Sequence, residues 1–256
     1  MSDLLLPRRQ LIARAGGLVA TLPLLGACDA INDAPAVRKI LSMGEAMNEA
    51  SQRALTDRDA LAREFTRADL SPVFRANGTR LPAGPDYAAH AARGFADWRV
   101  QVTGLVARPL SLSLADLRAM PQRIQITRHD CVEGWSAIGE WTGVPLGRIL
   151  AAAGVRDSAR YIVFRCADRI GDALYYESCD MVDARHPQTI MAWALNGAVL
   201  PIANGAPLRL RIERQLGYKH AKYVTGIEAV TSLAGIGAGK GGYWEDRINY
   251  EWYAGI

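Results

Sequence analysis

One short segment gathers the residue types that do chemistry: Arg128-His129-Asp130-Cys131-Val132-Glu133-Gly134-Trp135-Ser136. A thiolate is both a nucleophile and a metal ligand, and a cysteine between a strand and a Gly/Trp/Ser loop is placed to face a pocket mouth. Arg128 and His129 favour the thiolate, whereas Asp130 and Glu133 oppose it. A soft thiolate suits a redox transition metal better than magnesium or calcium. The residues alone leave a buried structural cysteine equally open. The chain has no C-x-x-C, H-E-x-x-H or C-x-x-C-H motif and no clustered histidines, so a zinc site, an iron–sulfur cluster or attached haem is not expected.

Another cysteine belongs to a different kind of signal. Pro7-Arg8-Arg9-Gln10-Leu11-Ile12 sets paired arginines before a mildly apolar segment over residues 15–27. That pattern matches a bacterial twin-arginine export signal, so residues 1–27 are expected to be a signal peptide and the protein periplasmic. The segment ends Leu25-Gly26-Ala27-Cys28, which resembles a lipobox with Cys28 as the lipidated residue; an ordinary cleavage site fits it too. A lipidated cysteine followed by Asp29 would hold the protein at the inner membrane. Cys131, Cys166 and Cys179 then remain, an odd number, so one is unpaired or none is paired. The twin-arginine route carries proteins already folded, often around a cofactor, so a cofactor is expected.

Composition excludes other classes. The chain has 256 residues, 50% hydrophobic and 22% charged, with a formal net charge of +4. Arg8, Arg9 and Arg14 against Asp3 account for +2 of it, leaving +2 for the remainder and no basic run to neutralise nucleic-acid phosphates. No apolar stretch reaches the roughly 18 residues of a membrane span.

The elements that must position Cys131 follow from periodicity. Residues 36 to about 70 show helical spacing ended by Ser71-Pro72, and residues 28–72 are expected to be a helical linker. Residues 74–87 are Gly/Pro-rich and read as an ordered loop. Arg99-Val100-Gln101-Val102-Thr103, Ile124-Gln125-Ile126-Thr127 and Tyr161-Ile162-Val163-Phe164 read as strands. Ser113-Leu114-Ala115-Asp116 starts a capped helix closed by Pro121, and residues 145–153 form a helix stopped by Gly154. Residues 208–213 alternate Leu208, Leu210 and Ile212 with Arg209, Arg211 and Glu213, predicting a strand with one solvated face. With no G-x-G-x-x-G or P-loop after a strand, the expected class is α+β over residues 73–256. The aromatic tail from Gly239 is expected to close the core, with a pocket wall or a docking surface as alternatives for Trp244, Tyr250, Trp252 and Tyr253.

Asp130-Cys131-Val132-Glu133-Gly134-Trp135-Ser136, with Trp141-x-Gly143-Val144-Pro145-Leu146, resembles the molybdenum-ligand signature of the sulfite oxidase family of molybdopterin enzymes. It is most similar to the bacterial branch that includes periplasmic methionine-sulfoxide reductases. The resemblance runs from about Phe74 to the C-terminus and implies a sulfite-oxidase-type fold of mixed β-sheets with short helices. It also implies a molybdenum-molybdopterin cofactor with Cys131 as the protein ligand to molybdenum. By the same resemblance Asn77 in Phe74-Arg75-Ala76-Asn77 contacts the cofactor. Asn204 and Arg209 in Asn204-Gly205-Ala206-Pro207-Leu208-Arg209 hold the pterin, an Arg fork suiting its phosphate. His220, Ala221 and Lys222 form the next contact stretch, and Cys166 stands where the branch carries a pterin-contacting Thr.

Sulfite oxidases of this family build an anion pocket from arginines and a tyrosine. Here Ala76, Trp193 and Lys219 stand in the corresponding regions, although Arg75, Arg128 and His129 offer other cations. The resemblance therefore implies oxygen-atom-transfer chemistry with sulfoxide reduction ahead of sulfite oxidation. Electrons would come from a separate partner, by resemblance a membrane haem protein. The alternative from another class is a non-catalytic lipoprotein binding module.

Overall fold

A computed structural model describes residues 34–256; the paired arginines and Cys28 lie outside the described residues. Leu55–Ile256 makes one compact unit. Before it, α1 (Pro35–Leu55) is a single helix that exposes Ile40, Met43 and Met47 along one stripe. Among the described residues no helix is long and apolar enough to cross a membrane.

Two five-stranded sheets form the unit. In the first the order is β2 (Leu110–Ser113), β1 (Arg99–Gly104), β10 (Val224–Val230), β5 (Tyr161–Ile170), β6 (Ala173–Asp180). All neighbours in it are antiparallel except β1 and β10, which run parallel. The second runs β3 (Arg123–Cys131), β4 (Trp135–Pro145), β7 (Ile190–Leu195), β8 (Ala198–Val199), with β9 (Arg209–Arg211) also pairing with β7. Side chains from both sheets share one core, including Val100, Phe164 and Ile227 of the first and Val144, Met191 and Leu210 of the second. This is the α+β arrangement of mixed sheets and short helices expected from the sequence.

The local signals act as their chemistry dictates. Ser113 Oγ accepts the Asp116 amide at 3.1 Å while the Asp116 carboxylate accepts the Ser113 amide at 2.8 Å, starting α3 (Leu114–Ala119). Helix α4 (Leu146–Ala153) buries Leu146, Ile149, Leu150 and Ala153 and stops at the left-handed Gly154. The loop expected over residues 74–87 has no regular element up to residue 84, but its last three residues already open α2 (Pro85–Ala92), Pro85 being suited to a first helical turn.

Two expectations are corrected. The α-helix does not continue to residue 70: after Leu55 the chain is irregular, meets the sheet edge with Phe65 N–H on the Ile126 carbonyl at 2.8 Å and Glu64 bridging to Thr127, and then makes only a short 3-10 turn, Arg67–Asp69. The open edge of β3 offers backbone partners that outweigh a weak helical pattern. Residues 55–72 therefore belong to the compact unit and not to a linker. Nor is the 208–213 strand half solvated. Arg209, Arg211 and Glu213 are as buried as the leucines between them, because structure covers both faces.

Replacing Ser113 with Ala should cost about 1 kcal/mol of stability in urea denaturation, with cofactor content unchanged, since only the cap of α3 is lost.

Candidate active site

Cys131 ends β3 at a three-residue hairpin, paired in register with Trp135. The turn closes through the Gly134 amide on the Cys131 carbonyl at 2.9 Å, and Gly134 takes φ +83°, a conformation that glycine adopts without strain. The thiol is only 6% exposed. It lies in the wall of a cavity of about 190 Å³ that also receives Asn77, Glu133, Asp168, His220 and Lys222. Tyr175, Tyr218, Trp244 and Tyr250 supply an aromatic side to the same cavity, so the C-terminal segment is a pocket wall as well as a core-closing element.

Burial pushes the Cys131 thiol up, with the Glu133 charge in the same direction; the Glu133 backbone, Arg209 and the Asn77 side chain draw it down. The cationic help differs from the sequence expectation. Arg128 turns outward to pair with Asp130 at 2.9 Å, and His129 is held neutral. Arg209 takes their place.

A buried polar layer stands beside the cavity. Arg211 donates to both Glu213 oxygens, at 3.0 and 2.6 Å, and to His129 Nδ1 at 2.8 Å. An arginine can only donate, so His129 Nδ1 accepts and its proton sits on Nε2. Gly217 lies over that edge of the ring, where a Cβ would come within 2.5 Å of Nε2. Arg209 and Arg211 both lie over Trp141, at 5.5 and 4.4 Å. Among the described residues Arg209, fully buried, has one hydrogen bond, from Nη1 to the Asn204 carbonyl at 3.0 Å, and no carboxylate within ion-pair distance. Burial and the neighbouring Arg211 push it down to about 9.

Lys222 donates to the carbonyls of Asn77 at 2.6 Å, Ala203 at 3.0 Å and Thr79. Three simultaneous donations require the ammonium form. Burial and Arg209 nevertheless push it down to about 7. The carbonyl cage is the stronger constraint on which form is present.

The sequence-predicted residues divide accordingly. Asn77, Cys131, His220 and Lys222 meet at one cavity, with Asn204 and Arg209 buried alongside it. Ala221 does not reach the cavity: its amide is taken by Lys219 and its carbonyl by Leu210, and its methyl packs in the core. Cys166 packs in the core too and borders a separate cleft with Tyr87 and Trp98. Trp193 lies away from the cavity, bonded to Gln122 and stacked by Arg118. Lys219 is neutralised inside the protein by Glu177 and Glu245, and Arg75 is exposed. Sequence reasoning missed Asp168, although it lies two residues beyond Cys166 on the same strand.

Several buried polar atoms have no partner among the described residues: Asn77 Oδ1, Asn204 Nδ2, Arg209 Nε and Nη2, and His220 Nδ1. His220 Nε2 meets the Gln215 carbonyl at 3.1 Å, so its Nδ1 is an acceptor. Each such group left alone costs about 1–3 kcal/mol, and a charged one more. Donors clustered on a cation, with acceptors opposite, fit an anionic group that also carries N–H and O–H functions. That is the chemistry of a phosphorylated pterin. Among the described residues no group of three or more His, Cys, Asp or Glu gathers to hold a metal.

Burial, then Arg211 and Arg209, hold His220 well below its usual 6.5. The unfolded chain takes up this proton below about pH 6.5 and the folded chain does not, so acidification through that range weakens the fold, by at most about 1.4 kcal/mol per pH unit for this group. Asp168, raised to about 6, acts in the opposite sense. Urea denaturation of His220→Asn should therefore show a smaller loss of stability between pH 7.5 and 5.5 than wild type.

Comparison with known proteins agrees with the site. Residues 88–234 match the family described as the oxidoreductase molybdopterin binding domain. A putative protein-methionine-sulfoxide reductase subunit, YedZ1 of Azospira oryzae, is 36% identical over 98% of this chain and 88% of its own length. The protein-methionine-sulfoxide reductase catalytic subunit MsrP of Ralstonia nicotianae is 38% identical over 52% of this chain and 44% of its own. MsrP of Xanthomonas campestris is 37% identical over 53% and 46%. The chain thus spans less than half the length of these MsrP relatives. Among solved structures the sulfane dehydrogenase SoxCD from Paracoccus pantotrophus shares the fold, with TM-score 0.50 and 24% identity over 54% of this chain and 39% of its own. The chain belongs to the oxidoreductases with a molybdopterin binding domain and is an enzyme whose cofactor is molybdenum-molybdopterin.

Proposed function

We propose that this chain is the catalytic subunit of an exported sulfoxide reductase acting on methionine-sulfoxide side chains, with Cys131 as the protein thiolate on molybdenum. The observation that carries this reading is the cavity around Cys131: it has an aromatic side, and its one lysine already has three carbonyl partners. Sulfite is a dianion and needs arginine forks facing the reacting centre. Arg75, Arg128, Arg209 and Lys219 do not line the cavity, and His129 is neutral. A sulfoxide is neutral, with one polar oxygen on an otherwise apolar thioether. Tyr218, Trp244 and Tyr250 offer such a group ring faces and edges. The names of the relatives point the same way.

When bound, the cofactor supplies two-electron oxygen-atom-transfer chemistry. The protein's part is to hold it and shape its surroundings. Cys131 would bind the metal from the rigid hairpin tip. Arg209 and Asn204 would take the phosphate, and Asn77, His220 and Lys222 the polar edges of the pterin. The aromatic side excludes water from the reacting sulfur. The twin-arginine segment supports a periplasmic location and Cys28 a lipid anchor at the inner membrane; a separate membrane haem protein would supply electrons.

Molybdenum and pterin content of the exported protein, measured with turnover on methionine sulfoxide and on sulfite using redox dyes, tests this. Wild type should carry about one molybdenum per chain and favour the sulfoxide, and Cys131→Ser should lose the metal, its turnover or both. Full activity in Cys131→Ser, or faster sulfite oxidation, would overturn it.

A further inference from the structure

Sulfoxide reduction consumes protons as well as electrons, and the cavity contains one carboxyl so far without a role. Asp168 on β5 is 3% exposed and lines the cavity with Cys131. Its Oδ1 has no hydrogen-bond partner, and it forms no ion pair among the described residues. The charged groups around it do not neutralise it: Lys222 is held by three carbonyls, Arg165 pairs with Glu228, and Arg169 bonds the Asp172 carbonyl. From the other elements Tyr87, Tyr175 and Tyr223 face it, with neutral phenols.

We propose that Asp168 is the proton donor to the oxygen leaving the substrate sulfur, an inference that rests on the sulfoxide-reductase reading. The overall reaction is R–S(=O)–CH3 + 2 H⁺ + 2 e⁻ → R–S–CH3 + H2O. The S–O bond breaks, sulfur gains two electrons supplied by the separate redox partner, and the oxygen leaves as water. Asp168 gives one of the two protons and solvent gives the other and recharges the carboxyl. The remaining cavity acids suit this less well. His220 is held neutral with Nδ1 as an acceptor, Lys222 is caged, and Glu133 is exposed and accepts from Trp135 Nε1 at 3.0 Å. Burial raises the Asp168 carboxyl to about 6 against the opposing Thr79 hydrogen bond, which keeps a useful fraction protonated near neutrality.

The acid form acts, so turnover on methionine sulfoxide in cofactor-loaded wild type should rise as pH falls through about 6. Asp168→Asn should keep its molybdenum and pterin, lose about a hundredfold or more in kcat, and lose that pH limb. Asp168→Glu should restore the limb. An infrared difference titration of wild type against Asp168→Asn should show a carboxyl band that disappears as pH rises through the same range. Asp168→Asn with wild-type kcat and pH profile would overturn the proposal alone, and so would loss of the cofactor in that variant, which would make Asp168 a cofactor-holding residue. Loaded wild type inactive on sulfoxides would overturn the functional reading and this inference with it.

Discussion

The structure depends on a positive charge that the described residues do not neutralise. Arg209 is fully buried, and among the described residues its neighbour Arg211 has Glu213 whereas Arg209 has only the Asn204 carbonyl. A buried unpaired ion is among the costliest features a fold can contain, and removing a partner from such an ion costs about 3–5 kcal/mol. Arg209 persists because neighbours fix its place: Trp141 lies against both guanidiniums, and β9 is held between β7 and the chain leading into β10. Its unused N–H groups mark where an anion completes the fold.

The rest of the site follows from keeping that layer rigid. Arg211 fixes the His129 tautomer, and Gly217 leaves room for the ring. The Gly217–Lys219 turn is anchored below by Lys219 between Glu177 and Glu245, and Glu245 belongs to the helix whose Trp244 borders the cavity. One buried lysine thereby ties strand β6, the turn carrying Tyr218 and the C-terminal helix together. The aromatic side of the cavity is positioned by electrostatics beneath it as much as by its own packing.

Much of this was legible in the sequence, for physical reasons. The Ser113 capping box, the Gly154 stop and the strand leading to Cys131 are local, and local chemistry decides them. Motif order located Cys131, Asn77, Asn204, Arg209, His220 and Lys222, and the fold brings these together. What stayed hidden depends on partners far along the chain. Residues 56–70 carry a helical pattern, but Glu64 and Phe65 bond to the edge of β3 and the segment forms no α-helix. Alternation around Arg209 signals a half-buried strand, and nothing local reveals that a second layer covers the charged face. Lys219 looks like an anion ligand until Glu177 and Glu245 arrive from 42 and 26 residues away. Cys166 and Ala221 match motif positions but face the core, and strand direction is set by the whole sheet.

The most direct test is the stability of Arg209→Met against wild type, each prepared with the cofactor and in cells that cannot make it, together with molybdenum and pterin content. If the unpaired charge is kept for an anionic cofactor, Arg209→Met without cofactor should be more stable than cofactor-free wild type, by about 1–4 kcal/mol, and should retain little molybdenum or pterin when the cofactor is supplied. A variant less stable than wild type without cofactor, yet loaded to the wild-type level with it, would contradict that role for Arg209.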